Sequence, residues 1–217
     1  MPVMDTFVLA FAKDRDIAEL YSFLFENPDV NLRRRDLPDL QNLVESRSFY
    51  ICRREPDNRL VASCYVAAPS GDDQEWELGG LFTGLDFRGR GIAGTLSLMA
   101  VGYHYLMHQP SEDLIAHVLL SNPGPRHTLE HLGFVIRDAR QKYRREEIPG
   151  LEHMDADADG YVYADVYVLP RPAYRVALES LRPLVSTPYG GGRTLFRLDL
   201  PFLSVETIDA ALKDFQD

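Results

Sequence analysis

Leu81-Phe82-Thr83-Gly84-Leu85-Asp86-Phe87-Arg88-Gly89-Arg90-Gly91-Ile92-Ala93-Gly94-Thr95 reads as a strand end, a short turn, and a glycine-rich basic loop that opens directly into an amphipathic helix. Gly89, Gly91 and Gly94 let main chain approach a ligand closely. The unpaired N–H groups of the helix start point at that ligand, with the positive end of the helix dipole behind them. The stretch is a candidate site for a phosphate-bearing molecule. Two familiar phosphate motifs fit it poorly. The ATP-binding P-loop needs a Lys-Ser/Thr pair, and Arg90-Gly91 stands after Gly89 instead. The dinucleotide fingerprint G-x-G-x-x-G is matched literally by residues 89–94, but its context is wrong. Residues 84–88 separate the strand end at Thr83 from the first glycine, and the next strand, around Leu114 to Leu120, ends in Ser121-Asn122 without an acidic residue for a ribose.

Outward from this stretch the chain alternates strand and helix signals. Thr6 to Ala12 is apolar and strand-like, and Asp14 or Asp16 can cap a helix carrying Ile17, Leu20, Tyr21 and Leu24, with Asp16 and Glu19 at capping-box spacing. Asn27-Pro28-Asp29 ends that helix, and a second is expected from Asp36 to Glu45 with Pro38 in its first turn. Ser48 to Arg54 and Leu60 to Ala67 are β-rich runs joined by Pro56-Asp57-Asn58, which is hairpin chemistry. After a turn over Pro69 to Gln74, Glu75 to Thr83 is the next strand, and its adjacent Gly79-Gly80 implies a bulge or a close backbone approach. From Gly91 the helix places Ile92, Leu96, Met99, Tyr103 and Leu106 on one stripe. Leu114 to Leu120 is a strand, Asn122 an N-cap with Pro123 at N1, and Gly133 the C′ residue of a short helix. Phe134 onward is extended, and Tyr161 to Leu169 is strongly β. A mixed α/β sheet follows from this order.

Arg88-Gly89-Arg90-Gly91-Ile92-Ala93 matches a third pattern, Gln/Arg-x-x-Gly-x-Gly/Ala. Through it the chain resembles the GNAT superfamily of acyl-CoA-dependent N-acyltransferases. Glu77 to Thr83 resembles that family's bulged fourth strand, and Asn122 with Leu129-Glu130-His131-Leu132-Gly133-Phe134 resembles its Asn…Tyr-Glu-x-Leu-Gly-Phe segment. The order of elements read above, β-α-α-β-β-β-α-β-α-β-β, is the family's order. The resemblance spans residues 5–169, so residues 1–169 are expected to be a GNAT acetyltransferase domain. Residues 170–217 form a C-terminal extension: Pro170 and Pro172 mark its start, Ala173 to Leu181 is helical, Ser186 to Gly192 a loop, Phe196 to Leu200 a strand, and Ser204 caps a last helix with Ile208, Leu212 and Phe215 on one face. Packing on the sheet, covering the substrate cleft and forming a homodimer contact are all open to it.

The resemblance implies transfer of an acetyl group from acetyl-CoA, as co-substrate, to a primary amine by direct attack. Backbone of Leu81, Phe82 and Thr83 would bind the thioester carbonyl and pantetheine arm, and the loop Arg88, Gly89, Arg90, Gly91, Ile92, Ala93 and Gly94 the pyrophosphate, with Asn122 completing the site. A glutamate five residues before the equivalent of Asn122 serves as base in the family's ribosomal-protein acetyltransferases. That position is His117 here, a chemically sensible replacement. Glu77 is the second candidate base, Glu75 the third, and ordered water a further route. The family's proton-donating tyrosine falls on Leu129, which cannot donate; Tyr143 and Ser121 are alternative hydroxyls. The missing acid keeps two other readings open, a catalytically silent acyl-CoA sensor and an arginine N-succinyltransferase-like enzyme.

Composition excludes other classes. The net charge of -10 argues against a general nucleic-acid binder. No apolar run reaches membrane length and no signal-peptide pattern opens the chain, so a cytoplasmic protein is expected. Cys52 and Cys64 both fall in strands and read as free core thiols rather than metal ligands or a disulfide. Asp155-Ala156-Asp157-Ala158-Asp159-Gly160 copies the first half of a calcium loop, but Val166 occupies the twelfth position, so no metal is expected. With Glu146, Glu147, Glu152 and Asp165 it can instead form an acidic rim that favours a cationic small molecule or protein amine.

Overall fold

The computed structural model describes residues 5–26, 32–55, 57–69, 75–110, 112–186 and 194–215. The helix stop at Asn27-Pro28-Asp29, Pro56, residues 70–74 and the loop over 187–193 lie outside them.

Alternating apolar runs form strands β1 (Asp5–Phe11), β2 (Phe49–Glu55), β3 (Arg59–Ala67), β4 (Trp76–Thr83), β5 (Leu114–Leu119), β6 (Val135–Arg144), β7 (Tyr161–Leu169) and β8 (Thr194–Asp199). They make one mixed sheet ordered β6-β7-β5-β4-β3-β2-β1-β8. Neighbours are antiparallel except β4 with β5 and β1 with β8, which are parallel. The helices are α1 (Ile17–Tyr21), α2 (Leu37–Glu45), α3 (Ile92–His108), α4 (Gly124–His131), α5 (Arg171–Ser186) and α6 (Val205–Leu212).

Strand period two builds a core on each face of the sheet. Along β2, Phe49 and Ile51 pack with Leu20, Leu24, Leu40 and Leu43 of the N-terminal helices. Tyr50 and Cys52 turn the other way, joining Leu96, Met99, Leu178, Leu181 and Ile208. Cys52 and Cys64 are buried there as free thiols, and burial pushes both well above the usual thiol range. Helix α3 is buried on more than the single stripe expected, because α5 covers its outer side. At their contact a Cβ on Gly102 would meet Leu181 Cδ2 at 2.5 Å. A helix that is apolar around its circumference is the sequence mark of burial on both sides.

The C-terminal segment thus completes the second core and also lengthens the sheet. Helix α5 runs five residues beyond the expected Leu181, through Pro183, with Leu184 buried. Ser204 caps α6 as its sequence indicates, its Oγ accepting from Thr207 N at 3.2 Å. Two other caps differ from expectation. Asp16 accepts from Lys13 N at 2.8 Å and from Arg53 Nη2 at 3.0 Å, so its carboxylate closes the preceding 3-10 turn rather than a box with Glu19. Helix α4 starts at Gly124 with Pro123 as its cap residue, leaving Asn122 in the turn after β5. Among the described residues no helix is long and apolar enough to cross a membrane.

Candidate functional site

Strands β4 and β5 pair only at Trp76 with Leu114 and Glu77 with Ile115. Beyond that point β4 stays with β3 as far as Thr83, while β5 follows β7 as far as Leu119. The sheet therefore opens as a wedge, and the edge of β4 from Leu78 onward faces a gap instead of a strand. The register of β3 on β4 also shifts between Ser63 and Tyr65, opposite Gly79 and Gly80. Gly80 has φ +60°, and a Cβ on Gly79 would lie 2.5 Å from Tyr65 Cζ. The two glycines serve both functions their sequence position suggests, a bulge and a close approach, the latter under the Tyr65 ring.

One cavity, of about 210 Å³, fills the wedge. Its polar end holds Glu77, His117, Tyr65 and Tyr143; its walls are Leu32, Val118, Leu119, Ile148, Leu151 and Ala164. His117 is the outward-facing residue of β5. Its Nδ1 lies 3.4 Å from Glu77 Oε1, and Arg35 Nη2 donates to Glu77 Oε2 at 3.2 Å. Burial pushes the Glu77 carboxyl up, but the hydrogen bond and charge of His117, with Arg35 and Arg33, outweigh it and hold the group below its usual range. Burial, reinforced by the Glu77 charge, pushes the Tyr65 hydroxyl up to about 12. The Tyr143 ring stands edge-on to His117 with centroids 5.7 Å apart.

A strap roofs this cavity. Arg34 N donates to Gly150 O at 2.9 Å, and Arg33 Nε donates to Pro149 O at 3.0 Å, joining the segment before α2 to the segment after β6. Gly150 has φ +88°, and a Cβ there would lie 1.8 Å from Arg34 O. Gly150→Ala should therefore unseat the strap, at about 1–3 kcal/mol of stability for the forced backbone. We expect a loss of that size in urea unfolding of the variant, and an unchanged midpoint would refute the contact.

That neighbouring groove, of about 470 Å³, runs between the β4 end, the start of α3 and α4. Asn122 and Pro125 line both it and the cavity, so the two spaces adjoin. Gly89 (φ +74°) and Gly91 (φ +77°) turn the loop in the left-handed region, and Gly91 caps α3 without any side-chain cap. The first N–H groups of α3 thus face the groove without a side-chain acceptor. Thr83 Oγ1, also on the groove, is buried with no hydrogen-bond partner among the described residues. Arg88 lines the groove, its Nε donating to Thr83 O at 3.1 Å.

Of the residues the sequence nominates, Leu81, Phe82, Thr83, Arg88, Gly89, Gly91, Ile92, Ala93, Gly94 and Asn122 line the groove, and Glu77 and His117 line the cavity. Arg90 does not join them. Its guanidinium pairs with Asp5, donates to Asp86 O at 3.3 Å and lies over the Phe87 ring. Glu75 pairs with Arg137, away from the cavity. Leu129 is buried in the core. Ser121 borders neither space, whereas Tyr143 borders the cavity.

Several residues of the acidic rim have local partners: Glu146 and Glu147 pair with Arg144, and Glu152 accepts from Gly150 N. Asp157 accepts from Asp159 N, Tyr161 N and the Tyr163 hydroxyl, which makes it the hinge of a hairpin turn. Among the described residues no group of three His, Cys, Asp or Glu could hold a metal. Sequence reasoning missed Arg33, Arg35 and Tyr65. The Arg33-Arg34-Arg35 triplet was the visible signal, but nothing in it names a partner forty residues away.

No protein-family model and no curated protein matches the sequence. Solved structures do. An acetyltransferase of the GNAT family from Streptococcus pneumoniae superposes with a TM-score of 0.54 at 14% identity, over 75% of this chain and 98% of that one. A chimera of spermidine N-acetyltransferase SpeG from Vibrio cholerae and hSSAT gives 0.53 at 14% identity over 76% and 98%. The NatC complex bound to Gag peptide and CoA gives 0.57 at 14% identity over 76% and 98%. At such identities the likeness speaks of architecture: the chain has the GNAT fold.

Proposed function

We propose that this protein is an N-acyltransferase that moves an acetyl group from acetyl-CoA to a primary amine, with the acyl donor in the groove and the amine in the cavity. The observation that carries this reading is the junction of the two spaces at Asn122 and Pro125, directly beside the unpaired edge of β4. The residues of the groove suit a pantetheine diphosphate. Amides of Gly89 to Gly94 and the Arg88 guanidinium offer donors to phosphate oxygens, and the Thr83 hydroxyl offers a buried donor to a polar chain. When bound, acetyl-CoA supplies an activated thioester.

The chain's own residues do the rest. Arg35 holds Glu77, and Glu77 holds Nδ1 of His117, so Nε2 is the nitrogen left to take a proton from the ammonium of the acceptor. The 3.4 Å contact is long for a resting hydrogen bond and of the kind that tightens when substrate arrives. With the amine neutral, its nitrogen bonds to the acyl carbon and the carbon–sulfur bond breaks; a second nitrogen proton ends on sulfur, and His117 returns the first to solvent. Backbone N–H groups of Leu81 to Thr83 are the donors available to the carbonyl oxygen, an interaction worth a few kcal/mol.

A silent acyl-CoA sensor is the second reading, favoured by the burial of Leu129 where the family donates a proton. Calorimetry and a thiol-release assay separate these. We expect acetyl-CoA to bind with a micromolar Kd and thiol to appear with at least one amine. Binding without turnover on any amine would establish the sensor. No binding at millimolar CoA, together with binding of a nicotinamide dinucleotide, would refute both.

A further inference from the structure

The walls of the cavity say what kind of amine it takes. Among the described residues Glu77 is the single carboxylate on its lining, and that group is already engaged by Arg35 and His117. The other acidic residues nominated from the sequence are not on this lining, and Glu146, Glu147, Glu152 and Asp157 are held by local partners. On the lining stands a cation instead. Arg33 donates one N–H to Pro149 O and has no carboxylate partner among the described residues, while its charge is felt by both Glu77 and Tyr65. Its remaining guanidinium donors form a fork suited to a carboxylate. The rest of the lining is largely aliphatic: Leu32, Val118, Leu119, Ile148, Leu151 and Ala164.

Size narrows the class further. At about 210 Å³ the cavity exceeds only modestly the ~150 Å³ that encloses a benzene molecule. The strap from Arg34 to Gly150 stands beside the cavity, and Leu32, Arg33, Ile148 and Leu151 from its two arms lie on the lining. A polyamine would bring a second ammonium to a space with an arginine and no spare carboxylate, which is unfavourable at short range in a partly desolvated site.

Resting on the acyltransferase reading, we propose that the acceptor is a small amine with an apolar body and one carboxylate, the carboxylate lying on Arg33 and the amine on His117. An α-amino acid with a hydrophobic side chain is the simplest molecule with that profile. Arg33 is then a specificity-determining residue, which neither the GNAT signature nor the phosphate loop contains.

The test pairs each amino acid with its decarboxylated amine: leucine with isopentylamine and phenylalanine with phenethylamine, beside spermidine and an alanine-initiated peptide. Thiol release is followed on the full chain. We expect kcat/KM for the amino acid to exceed that for its decarboxylated partner by about tenfold or more, as for a charge-assisted contact in a half-open site. Spermidine should be poorer still. Arg33→Ala should bring the paired ratio close to one, and Arg33→Lys should restore part of it. A purely structural role for Arg33 would leave the ratio unmoved, and that result overturns the proposal, as does a preference for spermidine or the decarboxylated amines. Turnover of the peptide alone would likewise refute it while sparing the acyltransferase reading. Acetyl-CoA binding with no amine turned over would remove both.

Discussion

His117→Ala is expected to lower kcat by about 10²- to 10⁴-fold, the usual worth of a positioned base, with acetyl-CoA affinity essentially unchanged. The separation of the two effects follows from the geometry. His117 borders the cavity and not the groove, so under the proposed reading its removal takes away proton transfer without touching the glycine-rich loop. Glu77→Gln should cost less, about 10- to 100-fold, because it removes a positioning charge and leaves the imidazole in place. Glu77 is held below the ordinary carboxylate range by His117 and the arginines against the opposing effect of burial, so it stays ionised through the neutral range. No limb of the rate profile between pH 6 and 9 then belongs to Glu77. A pre-steady-state rate for His117→Ala equal to wild type over that interval would overturn the assignment, and weakened acetyl-CoA binding would show that the variant disturbs more than the base.

The second large effect concerns stability and lies away from the site. His104, on α3, is buried against Trp76, His108 and Tyr174, and neither ring nitrogen has a hydrogen-bond partner among the described residues. Burial, with the His108 charge as a smaller contribution, pushes His104 down to about 3. The unfolded chain binds this proton near the ordinary histidine value, and the folded chain does so only far lower. Between these values the unfolded state carries more protons, so stability falls as the solution is acidified. The slope is roughly 1 kcal/mol per pH unit from about pH 6.5 downward, several kcal/mol by pH 4. His104→Leu abolishes this contribution and removes two unsatisfied nitrogens, at neutral pH a change of about 1 kcal/mol or less. Ion pairs elsewhere in the chain are common to both proteins, so the informative quantity is the difference between wild type and variant. Urea unfolding at pH 7.5, 6, 5 and 4 should show the variant gaining on wild type at each step. A difference independent of pH would mean that His104 is hydrated or charged in the native state.

Much of the fold was legible because it rests on local rules. The αL glycines at 89 and 91, the C′ glycine at 133, with φ +90°, and the cap at Ser204 are backbone necessities that any chain must meet with the same few residues. Gly79-Gly80 announced an irregularity, although the ring that demands it, Tyr65, sits on another strand. Asn122 misled by one position, since a good capping side chain preceded Pro123, and the turn after β5 used the asparagine instead. Arg90 is the clearest error of kind. It belongs to the loop by sequence, but Asp5 at the start of β1 draws its side chain away. Arg88, by contrast, stays on the lining of the groove.

What the sequence determined by itself is the order of strands and helices and the backbone amides of the phosphate loop, because hydrophobic period, caps and left-handed glycines act over a handful of neighbouring residues. Which charges meet was decided only by the tertiary structure. Arg35, Glu77 and His117 come from three separate segments and meet where β4 and β5 part, and Arg33 reaches the cavity because a strap 116 residues away holds it there. Such pairings depend on distances set by the packing of the whole sheet, and side-chain chemistry alone carries no record of them.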